Sequence, residues 1–256
     1  MADDDGPTHP RWFFVHVHKA AGTSLLHRLR RQFAPDQIYP DESDVAAAGD
    51  GDSALPHLAP TLLVSHLMAR YPLRRDRIAV VAGHFPLRTT EMLGDPFTTM
   101  TLVREPVDRI LSSLRHHRAY TPADRDRPLE ELYEDPIRFH GMLHNHLVKM
   151  FSLSPDEIRL GDGMMAHVRA FTPARLDDAK QRLAGVDVLG LHDRVDEMCG
   201  VLTERFGWRL GEDVHANTTE PVEVSASFRR RIAADNADDA ELYEYARELW
   251  AQRRSA

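Results

Sequence analysis

Four short apolar runs, each leading into a helix-like stretch, constrain this chain more than any other feature. They are "WFFVHVH" at 12–18, "IAVVAGHF" at 78–85, "FTTMTLV" at 97–103 and "VDVLGL" at 186–191. Such runs are long enough for buried strands and too short for core helices. The first is followed by an amphipathic stretch from about Thr23 to Phe33, and the third by "EPVDRILSSLRHHRAY", with Pro106 at a helix start and Val107, Ile110, Leu111 and Leu114 on one face. The fourth leads into "RVDEMCGVLTERFG", closed by Gly207. Further helices are expected at about Thr61–Tyr71, Pro136–Phe151, "LDDAKQRLAG" and Ser227–Arg253, the last interrupted near Asn236–Asp239. Strands alternating with helices predict an α/β fold with a mainly parallel central sheet and helices on both faces.

Bulk properties narrow the rest. A chain of 256 residues, 42% hydrophobic, suffices for one domain spanning 1–256, with 1–10 as a flexible tail. A net charge of −8 argues against nucleic-acid binding over the whole surface. The single cysteine, Cys199, excludes an internal disulfide and fits a reducing compartment. The opening "MADDDGPTHPRW" is acidic and lacks a signal-peptide core, and no apolar run approaches the roughly 18 residues of a membrane span. A soluble, cytoplasmic chain without membrane insertion is expected. The segments "PDESDVAAAGDGDSALPH" and 121–136 read as loops, the second as a mobile excursion.

In a parallel sheet, ligands bind beyond the carboxyl ends of the strands. Three elements fall at such ends: "KAAGTS" at 19–24, "GHF" at 83–85, and Arg104. In the first, Ala20, Ala21 and Gly22 lack bulk, so an anion can approach backbone N–H groups at a helix N-terminus. Thr23 and Ser24 can cap that helix and donate hydroxyl protons. A Walker loop would place its lysine after the glycine; here Lys19 precedes Gly22, which demotes a kinase. His16 and His18 form an H-x-H pair of metal-ligand type, but no carboxylate cluster accompanies them. Of 32 basic residues only Lys19, Lys149 and Lys180 are lysines, so each invites a reason. A lysine suits a site that needs one compact positive charge.

"HVHKAAGTS" followed by "TLVREPVDRILSSL" resembles the sulfotransferases that use 3′-phosphoadenosine 5′-phosphosulfate (PAPS), within the branch of the carbohydrate 2-O-sulfotransferases and related bacterial enzymes. That branch reads H-I-P-K-T-A-G-T-S and R-x-P-x-x-R-x-x-S. The likeness continues through "GHFP", "HNHLVKMFS", "VLGLHDRVDEMCGVLTERFGW" and "NADDAELYEYA". It implies a P-loop-NTPase-like sheet, with the phosphosulfate held by Lys19, Ala20, Ala21, Gly22, Thr23 and Ser24. It further implies that Arg104 and Ser112 bind the 3′-phosphate, that His84 is the general base and that Lys19 stabilises the leaving phosphate. The product would be 3′-phosphoadenosine 5′-phosphate (PAP), and no metal is implied. His18 stands where the branch has proline, Ala20 where it has threonine, and "LHDRVDE" where it often has Thr-Glu.

The chemistry of the residue types agrees with these roles. A guanidinium pairs two phosphate oxygens, and an imidazole titrates where a general base must work. His140, His144, His146 and Lys149, at near-helical spacing, are candidates to flank the acceptor cleft; an ordinary histidine-decorated helix is the alternative. Arg115, His116, His117 and Arg118 read either as an acceptor-side patch or as the cationic end of a helix. The expected function is sulfuryl transfer to a hydroxyl of a carbohydrate, lipid-linked glycan or small metabolite, the loops at 40–60 and 118–136 being candidate walls of its pocket. A nucleotide-dependent small-molecule kinase and a non-catalytic binding module for a nucleotide or sulfated ligand are the alternatives.

Overall fold

The computed structural model describes residues 10–47, 55–162, 174–211 and 223–255. Apart from Pro10, the tail expected at 1–10 lies outside them, as does part of the loop at 40–60. Five strands appear: β1 Arg11–Val15, β2 Ile38–Tyr39, β3 Val80–Gly83, β4 Phe97–Val103 and β5 Val188–Leu191. They form one sheet in the order β2-β3-β1-β4-β5, with every neighbouring pair parallel. The α/β architecture read from the alternating pattern is therefore present. β1 is central, with Val15 opposite Gly83 on one side and Thr101 on the other. The segments that leave β1, β3 and β4 consequently start side by side on one rim.

All five residues of β1 are buried, although successive side chains face opposite sides of the sheet. Both faces must therefore be covered, as a parallel sheet requires. Phe13 and Phe14 join Leu25, Leu29, Leu67, Tyr71 and Phe151 in one core. Trp12 packs edge-on against Phe206 and Trp208, with ring centroids 4.7 and 4.5 Å away. Arg11, also buried, pairs with Asp95 at 3.0 Å, and Asp95 accepts a 2.6 Å hydrogen bond from the Tyr71 hydroxyl.

Several sequence expectations need correction. β1 ends at Val15 rather than His18, because the Val17 N–H turns back onto the Val15 carbonyl at 3.1 Å. β2 is not among the expected strands, and the loop expected from Pro40 contains a helix at Glu42–Ala47, anchored by buried Asp44, which pairs with Arg70 at 3.0 Å and with Arg74. The helix expected at Thr61–Tyr71 is two, Leu55–Leu62 and Val64–Arg74. Segment 121–136 is not a mobile excursion. Its Leu129, Leu132 and Tyr133 join Val107, Ile110, Leu114, Phe228 and Ile232 in a second core. The helix expected at Pro136–Phe151 breaks into a turn at Pro136–Arg138, a π-helical turn at Phe139–Leu143 and a helix at His146–Ser152. Asn145, at φ 44°, is the break. The interruption expected near Asn236 is present, between helices Ala226–Asp235 and Ala237–Ser255.

No helix among the described residues is long and apolar enough to cross a membrane.

Candidate functional site: a cationic and imidazole-lined rim

The turn after β1 is shaped by two non-glycine residues in the left-handed region, Lys19 at φ 62° and Ala21 at φ 64°. Each such residue costs about 1–2 kcal/mol, so local backbone preference alone does not explain the shape. Left-handed residues next to a helix start direct consecutive N–H groups into a concavity suited to anions. The helix Gly22–Gln32 starts there with Ala21 as its N-cap, and no side chain caps it. Thr23 and Ser24 stand inside the first turn, not at the cap position expected of them. The first-turn N–H groups, which lack intrahelical partners in any α-helix, are left facing the rim. Gly22 is required by space: a Cβ there would overlap the His16 ring.

Arg104 follows β4 and reaches across to β1's turn, its Nη1 donating to the Lys19 carbonyl at 3.2 Å. Both cations are half-buried. Neither forms an ion pair among the described residues. Burial, and then the charge of Arg104, hold the Lys19 ammonium below its ordinary range. Burial likewise works against the Arg104 guanidinium, with Asp108 opposing and Arg115 adding to the shift. Two like charges thus sit together where water is partly excluded, an arrangement that an incoming anion would relieve. Ser112 is half-exposed on the helix Pro106–Tyr120, about 9 Å along its axis from the first residue at 1.5 Å per residue.

His84 directly follows β3. Its Nδ1 lies 2.7 Å from the His16 carbonyl, which can only accept, so Nδ1 carries the proton and Nε2 is left as the basic nitrogen. Burial holds its pKa below the ordinary imidazole range; the bond to His16 opposes this and the Lys19 charge adds to it. His16 lies against it with ring centroids 4.4 Å apart, and His18 at 5.3 Å. Both are held well below the usual range, first by burial and then by charge at His84 and Lys19. His18 Nδ1 faces the buried Ser113 hydroxyl at 3.5 Å. The H-x-H pair belongs to this imidazole group rather than to a strand face. Among the described residues no group of three His, Cys, Asp or Glu is placed to hold a metal ion.

The structure therefore gathers Lys19, Ala20, Ala21, Gly22, Thr23, Ser24, His84 and Arg104 at one rim. It does not place Lys149 there. Lys149 is buried at 3% exposure and donates to the His140 carbonyl at 2.8 Å, with its pKa lowered by burial to about 8. His144 stacks on Phe139, and His146 is buried. Sequence reasoning missed Ser113, the neighbour of His18, since a serine beside Ser112 on a helix carries no signal of its own. It also missed Asp239, whose role emerges only from packing: it accepts the N–H groups of Leu147 and Val148 at 3.0 and 2.9 Å and faces Arg109 at 3.8 Å.

No protein-family model matches the chain. In sequence it is similar to galactose-3-O-sulfotransferase 2 of Homo sapiens, 25% identical over 267 aligned positions covering 98% of the chain. The chain spans 63% of that relative's length. In fold it is similar to the crystal structure of a sulfotransferase from Alicyclobacillus acidocaldarius, with a TM-score of 0.51 at 14% identity, covering 93% of this chain and 95% of the other. The sequence likeness supports a sulfotransferase family, and the fold likeness shows a shared fold.

Proposed function

We propose that this protein is a PAPS-dependent sulfotransferase that acts on an acceptor hydroxyl. The observation that carries the reading is the half-buried pair Lys19 and Arg104, which forms no ion pair among the described residues and meets His84 at the strand ends. The donor set fits a nucleotide with two separated anionic groups. Lys19, the first-turn N–H groups at 22–24 and the hydroxyls of Thr23 and Ser24 would hold the phosphosulfate end. Arg104 and Ser112 would hold the 3′-phosphate. When bound, PAPS supplies a sulfuryl group whose bond to the 5′-phosphate breaks as the acceptor oxygen bonds to sulfur.

Each residue then has a defined task. His84 takes the hydroxyl proton at Nε2, its ring held by the His16 carbonyl. A positioned base of this kind contributes about 10²–10⁴ in rate. Lys19 offsets negative charge as it gathers on the departing phosphate, in a partly desolvated site where that charge counts for more than in water. The remainder is alignment, which a rigid rim of three adjacent parallel strands provides.

Calorimetric titration with PAP, with and without Mg²⁺ and alongside ATP, tests the reading. Binding of PAP independent of Mg²⁺ is expected, weakened about 10- to 100-fold in Arg104→Ala, the loss of a charge-assisted hydrogen bond of about 1.5–3 kcal/mol. Binding of ATP only with Mg²⁺ would overturn it in favour of a kinase. Tight PAP binding with no transfer to any hydroxyl acceptor would leave a binding module.

A further inference from the structure

A line of aromatic and imidazole rings leads away from His84 along the helix Pro106–Tyr120. From His84 the next ring is His18 at 5.3 Å, then His117 at 6.4 Å, His116 at 6.3 Å and Tyr120 at 4.7 Å, centroid to centroid. Exposure rises to 62% at Tyr120, one of the large apolar side chains the protein leaves in solvent. At 100° per residue, Ser113, His116, His117 and Tyr120 fall within an arc of about 100° on one side of the helix, and Arg115 and Arg118 fall outside it. Nδ1 of His116 and Nε2 of His117 are buried and have no hydrogen-bond partner among the described residues. Buried polar atoms are ordinarily partnered.

We propose that this strip is the acceptor subsite, and that it takes an uncharged sugar ring packed on Tyr120 and His116, directing its attacking hydroxyl to His84. The proposal rests on the sulfuryl-transfer reading for the reacting end and on the strip's own geometry for the rest. An aromatic ring at a wet edge matches the C–H face of a pyranose, which is apolar in its middle and hydroxylated at its rim. Nδ1 of His116 and Nε2 of His117 are closed to solvent, so a sugar hydroxyl would reach them only after those rings turn, and each could then donate or accept.

The charge pattern decides between an uncharged and an anionic sugar. Burial and neighbouring positive charge hold His18 and His117 below the ordinary imidazole range, and His116 at about 4, so the strip is neutral at pH 7. Arg115 is turned to its own helix, donating to the Leu111 carbonyl at 3.0 Å. Arg138, near His117, is matched by Asp124 at 2.6 Å. Lys19 is assigned to the donor. An anionic sugar would thus lose hydration without gaining a cation.

The test is saturation-transfer NMR on the full chain, with and without PAP, using methyl β-galactoside, β-glucoside and α-mannoside and the 6-sulfate of each. At least one uncharged glycoside is expected to bind, with its sulfate at least tenfold weaker. Tyr120→Ala should weaken binding at least fivefold, and Tyr120→Phe, which keeps the ring, by no more than twofold. Because Tyr120 is exposed, its truncation does not threaten the fold. The proposal is overturned if no uncharged glycoside binds, if a sulfated one binds more tightly, or if Tyr120→Ala binds like the wild type. PAP titration of the same wild-type sample reads the donor separately. Tyr120-dependent sugar binding by a protein that ignores PAP keeps the strip and sinks the transfer reading.

Discussion

Removing the Asp239 carboxylate should be among the most damaging single changes available in this protein. Asp239 lies in the first turn of the C-terminal helix Ala237–Ser255 and is fully buried. It closes a reciprocal cap. Its carboxylate accepts the N–H groups of Leu147 and Val148 at the start of helix His146–Ser152, and that helix's N-cap residue, Asn145, accepts the Asp239 N–H at 3.2 Å. Buried Arg109 stands 3.8 Å away while donating to the Met142 and Leu143 carbonyls at 3.0 and 2.8 Å. In Asp239→Ala two buried N–H groups lose their acceptor, at about 1–3 kcal/mol each. Arg109 and Lys149 also lose a compensating charge, a break worth about 3–5 kcal/mol in buried pairs. These losses share one desolvation, so they do not add in full; about 4–5 kcal/mol is the expected total. For a chain of this size that lowers Tm by roughly 10–20 °C. Asp239→Asn, which keeps an acceptor but no charge, should lose about half as much. The assay is urea and thermal unfolding followed by circular dichroism, with Glu241→Ala as control. Glu241 pairs with Lys180 on the surface and should cost under about 1 kcal/mol. A loss below about 1 kcal/mol in Asp239→Ala would refute the reciprocal-cap argument.

Two further predictions concern the imidazoles. Since burial and the Lys19 charge keep His84 deprotonated below the usual range, the acid limb of kcat/KM should break below pH 6.5; a break at or above 6.5 would argue against His84 as the base. His16 and His18 should make the fold acid-sensitive. Their folded pKa values lie below the unfolded value, so the unfolded chain binds more protons in between. Stability is therefore unaffected above about pH 7 and falls as pH drops below 6.5, by at most about 1.4 kcal/mol per pH unit per imidazole. His18→Asn should flatten the fall in urea midpoint between pH 6.5 and 5.5; an unchanged slope would remove His18 from the account.

How much of this was legible in the sequence depended on what set each feature. Four strands were visible because burial on both faces leaves continuous apolar runs, whereas β2, two residues long, has no period to read. Lys19, His84 and Arg104 were visible because parallel topology forces strand ends onto one rim. Segment 121–136 was misread because its prolines and charges outweigh Leu129, Leu132 and Tyr133, whose i, i+3, i+4 spacing marks the buried side of a short helix. "FHGMLHNHLVK" hid its break because a left-handed Asn145 is stabilised by partners far along the chain: its N–H donates to Asn236 Oδ1 at 2.8 Å and its side chain to Asp238 at 3.0 Å. The neutrality of the histidines was the least legible property. Nothing local in "HVH" or "RHHR" states how deeply each ring will be buried, or that Lys19 will stand beside them.

The three lysines show why charge partnership, rather than residue type, separates structural cations from functional ones. Lys180 is a surface residue paired with Glu241. Lys149 is buried, yet its ammonium donates to the His140 carbonyl and feels the Asp239 charge, so its position is satisfied from within the fold. Lys19 is less deeply buried than Lys149, but its strongest charged neighbour is another cation, Arg104. A protein gains nothing in stability by holding two positive charges together in a left-handed turn, since the repulsion, the desolvation and the backbone strain all act in the same direction. Such an arrangement persists where the surrounding structure over-determines it, and strain of that kind clusters where a ligand is bound. An anion bound at the turn would relieve that repulsion, so Lys19 and Arg104 should become more stable, not less, when PAP is present.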